Sequence, residues 1–355
     1  MSFGPFNRLL SWTSALVLAS QSLPALSKTP TPPFVPNNKT CAAVIIKDDG
    51  LHGKLMQSTI EETLWEHGLA GRVPVFVTSR HEDYYEDTKI IGNIPNVPVF
   101  VNQSFGTDIN SEIVKKFIED TLNNPKLDPS LLEAAQDLKT KYYKDGQWSL
   151  TLWDIREDPL VRLFVEYFTG GLTTDNIDHF LSKHPNVTIF NAVGNGPNNQ
   201  GTAQGGPPTV IFFSLIPKSL LPNNRFFMVA VGDKKTAYDN TAGSYLPSPG
   251  NPDRLPVVFQ KPTNQTVEGP FYDEKEGYFI RVDFNGNGQA TTRVHVSKEV
   301  IKAFHQSRQS AEVFFGLGPN GSTSTATAQT TAQAAVAACR NPNEPVIMSL
   351  FDRIR

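Results

Sequence analysis

At 355 residues, with 19% charged residues and a net charge of −3, the chain is long enough to bury a substantial core. It has no basic field suited to nucleic acid and no acidic excess suited to buffering cations. The 27 prolines and 25 glycines imply many turns, while the 23 phenylalanines require an interior and exclude a disordered chain. The partners this leaves are a small molecule, a glycan or another protein.

Residues 1–27 read as a signal peptide: Arg8 gives a positive start, residues 9–23 an interrupted apolar stretch, and Ala25-Leu26-Ser27 small residues for cleavage. Ser11, Ser14, Ser20, Gln21 and Ser22 make that stretch too polar to span a bilayer well, and no later stretch could span one, so no stable membrane insertion is expected after cleavage. Residues 28–40 form a proline-rich leader. The expected destination is secreted, extracellular and soluble.

Residues 41–80 are the clearest strand-helix-strand reading. A β-branched run over 42–46 breaks off at Lys47-Asp48-Asp49-Gly50; Leu55, Ile60, Leu64 and Leu69 then fall near helical spacing, with Gly68 or Gly71 as the stop. Residues 73–77 read as a second buried strand. Two strands joined by a helix are normally parallel, and open α/β sheets bind ligands beyond the carboxyl ends of their strands. The polar residues at those ends are Asp48, Asp49 and His52 after the first strand, and Ser79, Arg80 and His81 after the second.

Two cysteines, Cys41 and Cys339, suit one disulfide in an oxidising compartment, with two unrelated buried thiols as the alternative. Sequons for glycosylation occur at Asn38, Asn102, Asn186, Asn264 and Asn320.

Farther along, residues 97–101 read as a third strand. Amphipathic helices follow over 112–122, capped by Asn110 or Ser111, and after Asp128-Pro129; two more are expected over 159–168 and after Thr173 or Thr174. The character changes near residue 186. Segments 187–193, 209–215, 226–231, 255–259, 278–284 and 290–296 read as strands separated by Gly, Pro and Asn, and predict a predominantly antiparallel sheet. A short helix is expected over 298–305 and a last strand over 311–315. The tract 322–338 is either a loose low-complexity segment or an alanine-favoured helix. The fold class is therefore α+β: a β-α-β, helix-rich part over 41–185 and a β-rich part over 186–355, either as two domains or as one over 41–355.

Three local patterns imitate chemistry. The glycines from Gly194 to Gly206 follow a strand but lead into Pro207-Pro208 rather than a helix that could cradle phosphate. The run from Asp283 to Gly288 matches half a calcium loop, yet position twelve is Val294, and the flanking alternation favours a β-hairpin. Asp175, His179 and His184 lie at metal-ligand spacing, but a solvated face is the simpler reading. Whether a cofactor or a metal is used stays open in the sequence.

The stretch Ile46-Lys47-Asp48-Asp49-Gly50, with the helix and strand after it, resembles the opening unit of NodB-type polysaccharide deacetylases. That resemblance implies Asp48 as base and Asp49 as ligand to a divalent metal within a barrel fold. It covers residues 41–80, and the family's paired-histidine and Leu-His-Asp motifs have no counterpart here. The reading carried forward is a secreted hydrolase-like enzyme using Asp48, Asp49, His52 and His81 at the strand ends, with or without a metal. The alternative is a non-enzymatic binding protein with an aromatic-lined pocket drawn from Tyr142, Tyr143, Trp148 and Trp153.

Overall fold

The computed structural model describes residues 40–342 apart from 80–83, 95, 105–107, 169–172, 195–209, 233–252, 254, 261–264, 285, 287, 308–309 and 316–322. The expected signal peptide and leader, His81, most of the 194–206 glycine loop, and the sequons at Asn38, Asn264 and Asn320 therefore lie outside the described residues or at their margin.

Six parallel strands form the central sheet: β1 (Ala43–Lys47), β2 (Val75–Thr78), β3 (Val99–Gln103), β4 (Val187–Ala192), β5 (Phe226–Val231) and β6 (Val257–Gln260), in the order β6-β5-β4-β3-β1-β2. Successive strands run outward from β1 in two directions, to β2 on one side and β3 on the other. The gap between β1 and β3 is thus the topological switch point. The opening β-α-β unit forms as its pattern predicts, with α1 (Gly50–Glu66) burying Leu55, Met56, Ile60 and Leu64 and stopping before Gly68, whose φ of 67° suits a left-handed helix stop.

One face of the sheet is covered by helices from the connections around β3. These are α2 (Tyr85–Gly92), α3 (Ser111–Leu122), α4 (Pro129–Tyr142), α5 (Leu152–Glu157), α6 (Pro159–Phe168) and α7 (Thr174–Lys183). Ile45, Val101, Ile189 and Met228 meet Ile118, Leu138, Phe164 and Phe180 there. The expected caps hold: Asn110, Asp128 and Thr173 each accept a backbone N–H in the first turn of α3, α4 and α7.

The other face carries α1, a small antiparallel sheet and two C-terminal helices. The small sheet contains β7 (Thr266–Asp273), β8 (Gly277–Asp283) and β9 (Thr292–His295), and α8 (Lys298–Ser307) follows it. Val44, Ile46, Phe100, Phe190 and Val229 pack there with Ile280, Val282, Phe315 and a row of alanines from α9 (Thr323–Arg340). The alanine-rich tract is therefore a helix, and nearly all of it is buried.

Three expectations are corrected. Segments 187–193, 226–231 and 255–259 join the parallel sheet instead of an antiparallel one, so that sheet draws strands from both sides of residue 185. Segment 209–215 gives only two strand residues before turning helical, and 311–315 is helical over Ala311–Phe314. The sheet is open, where the deacetylase resemblance implies a barrel. The disulfide expectation holds: Cys41, just before β1, joins Cys339, near the end of α9, with an S–S distance of 2.02 Å. Among the described residues no helix is long and apolar enough to cross a membrane.

Candidate active site at the switch point

Lys47 ends β1 and Asp48 follows it still extended, so the two side chains point to opposite faces of the sheet. The Asp48 amide still donates to Thr78 O at 3.0 Å, so the extended conformation persists through this residue. On the face that carries α1, the Asp48 carboxylate is almost fully buried. Oδ1 accepts from the Asp49 amide at 2.8 Å, and Oδ2 is hydrogen-bonded to Nδ1 of His52, in the first turn of α1. The helix N-terminus favours a negative charge at that position. Gly53 permits the close approach, since a Cβ on it would lie 3.2 Å from the Asp48 carbonyl oxygen.

Strand β3 ends beside this pair. The register places Ile46 opposite Asn102, so Asp48 follows the carboxyl end of β1 as Ser104 follows that of β3. Asn102 and Ser104 are buried, and they point to the same face as Asp48. The Ser104 hydroxyl donates to Asn102 Oδ1 at 2.7 Å, with the Ser324 carbonyl as a second acceptor at 3.2 Å. In return the Ser324 hydroxyl donates to Ser104 O at 3.0 Å, and Asn102 Nδ2 donates to Thr331 Oγ1 at 3.4 Å. Ser324 and Thr331 lie two turns apart along α9, so β3 holds that helix at two levels. The first turn of α9 therefore meets the carboxyl end of β3, at the switch point.

The opposite face of the same edge is built differently. Lys47 Nζ donates to Asp87 Oδ2 at 3.0 Å and to Ser79 O at 3.1 Å, and both charged side chains are fully buried. The Thr78 hydroxyl donates to Asp87 Oδ1 at 3.1 Å. Tyr84 stacks on Phe180 and is hydrogen-bonded to Gln103. Burial pushes the Asp87 carboxyl above its ordinary range, against the pull of Lys47, and burial likewise pushes the Tyr84 phenol up.

Of the expected site residues, the structure brings together Asp48 and His52. Asp49 is half-buried at the N-cap of α1, and its backbone rather than its side chain bonds Asp48. His81 lies outside the described residues. No group of three or more His, Cys, Asp or Glu that could hold a metal occurs among the described residues, and His81, Glu82 and Asp83 lie outside them. Asp175 and His179 are exposed on α7, and Asp283 accepts from the Gly286 and Gly288 amides in the loop that joins the antiparallel strands β8 and β9. Of the aromatic residues expected to line a pocket, Tyr143 and Trp148 lie together with ring centroids 5.3 Å apart, Tyr142 is buried against Asp158, and Trp153 is exposed beside Arg156. The sequon at Asn102 is fully buried with its amide engaged, which leaves no room for a glycan; the Asn186 amide donates to Val97 O at 2.7 Å.

The sequence reading takes Asn102 only as a sequon and gives Ser104 and Ser324 no role at the site. A signal for the first two was available, because the apolar third strand ends in Asn102-Gln103-Ser104 just as the first ends in Lys47-Asp48-Asp49. Ser324 had none beyond its place in a hydroxyl-rich tract. Comparison with family models, with curated proteins and with solved structures finds no match for this chain.

Proposed function

We propose that the chain is a hydrolase acting by acyl transfer on an ester or amide, with Ser324 as nucleophile, His52 as general base and Asp48 as the group that orients His52. The observation that carries this reading is the Asp48 carboxylate on His52 Nδ1, at the switch point where β3 holds the first turn of α9. A carboxylate on Nδ1 fixes the imidazole tautomer and leaves Nε2 as the basic nitrogen. His52 keeps about a fifth of its side chain exposed while Asp48 is buried, the gradient such a pair needs.

In the reaction, Ser324 turns its hydroxyl from Ser104 O toward His52 and attacks the acyl carbonyl as its proton passes to Nε2. The positive end of α9 faces the oxyanion that forms. His52 then returns the proton to the leaving amine or alcohol, and water repeats the sequence to free the enzyme. The order Asp, His, Ser along the chain, on a parallel α/β sheet, is that of subtilisin-type hydrolases, not of the chymotrypsin or α/β-hydrolase types. The disulfide suits an oxidising compartment, in keeping with secretion.

The test is covalent labelling with a fluorophosphonate, which reacts with activated serines. Ser324 is expected to be the labelled residue by peptide mass spectrometry, with labelling abolished in Ser324→Ala and strongly slowed in His52→Gln. Labelling that persists in Ser324→Ala, or none at all in the folded wild type, would overturn the reading.

A further inference from the structure

The small antiparallel sheet meets the first turn of α9 through Gln265, the residue immediately before β7. Gln265 is 3% exposed. Its Oε1 accepts from the Thr325 hydroxyl at 3.4 Å, and its Nε2 donates to Phe284 O at 3.3 Å, just past the end of β8. The Phe284 carbonyl can only accept, so the amide is oriented with its own acceptor toward Thr325. The chain around Phe284 is itself fixed, because Asp283 takes the Gly286 and Gly288 amides at 2.8 and 2.6 Å. Thr325 directly follows Ser324, so whatever holds Thr325 sets the rotation of the turn that presents Ser324.

We propose that Gln265 is a positioning residue for Ser324: it anchors Thr325 to the small antiparallel sheet and so fixes the direction in which the Ser324 hydroxyl is offered. This role rests on the nucleophile reading above. Two hydrogen bonds of this length contribute little stability once the rotamer freedom of a glutamine is lost. Their effect on the angle of one helical turn is large by comparison, because reactivity falls steeply with a small misplacement of the nucleophile.

The experiment measures the rate constant for fluorophosphonate labelling of Ser324, together with the melting temperature, in Gln265→Leu, Thr325→Val, the double variant and Thr325→Ser. Each of the first two is expected to slow labelling about tenfold, and the double variant no further, because both remove the same link. Thr325→Ser keeps the hydroxyl and is expected to label at the wild-type rate, and melting temperatures should move little. Wild-type rates in both single variants, or losses that multiply in the double, would overturn the proposal while leaving Ser324 as nucleophile. Undiminished labelling in Ser324→Ala would remove the nucleophile reading instead, and the positioning role with it. If Gln265→Leu does not fold, Thr325→Val and Thr325→Ser decide the matter between them.

Discussion

Lys47 and Asp48 are neighbours in sequence, yet they enter two networks of opposite character on the two faces of one sheet. On the helix-rich face, Lys47 and Asp87 are both sealed from solvent, and among the described residues they bond to Ser79 and Thr78. On the other face, Asp48 is sealed but its partner His52 is partly exposed, and the neighbouring hydroxyls lead into the first turn of a helix. A charged pair sealed from solvent holds strand ends together, whereas one that opens toward solvent can exchange a proton. On the proposed reading, the direction in which the polar chain runs, and not burial alone, separates structure from chemistry at this edge.

The sharpest way to break that comparison is Asp48→Asn. It keeps the shape but offers His52 the wrong tautomer, and Ser324 labelling should fall by about 10⁴-fold with melting little changed; an unaltered rate would place Asp48 in the structural class with Lys47. Lys47→Met should do the reverse. Leaving Asp87 buried and uncompensated should cost about 3–5 kcal/mol in denaturant unfolding, and adding Asp87→Leu should recover much of it. A loss below about 1 kcal/mol in the single variant would mean that the pair is not sealed.

Cys41→Ser with Cys339→Ser acts at the end of α9 far from Ser324, and is expected to lower stability by about 2–4 kcal/mol while sparing labelling of the folded fraction. The smallest effect concerns Asp158 on the helix-rich face. Burial opposes its ionisation, but hydrogen bonds from Lys141 and Tyr142 more than offset that and hold its carboxyl below the usual range. A depressed folded pKa means a contribution fully present above the unfolded value near 3.9 and lost as pH falls through the folded one. Between pH 6 and pH 3 the wild type should therefore lose about 1 kcal/mol or less relative to Asp158→Asn, read from melting curves. Tyr142, pushed up to about 12 by burial and by Asp158, stays protonated throughout that range.

The local half of this structure was readable from sequence. The β1-α1-β2 unit, the caps at Asn110, Asp128 and Thr173, and the meeting of Asp48 with His52 all depend on residues within a few turns of one another. What escaped depends on path. A strand such as Phe226–Val231 is buried on both faces and has the same apolar run in a parallel or an antiparallel sheet, so its direction is set by the connection and not by its residues. The α9 tract hid for a different reason. Thr, Ala and Gln on all sides give no apolar stripe, and only the tight space between β3 and α1 turns small size into a core. Ser324 is brought beside Ser104 by that packing, from the far end of the chain, and no spacing rule could have paired them.

The Cys41–Cys339 bond spans 298 residues and turns almost the whole described chain into a covalent ring. One peptide-bond cut anywhere within that ring leaves a single molecule of unchanged mass apart from one added water. A nicked population would run as one species on a gel without reductant and as two fragments with it. A single band without reductant is thus no proof of an uncut backbone.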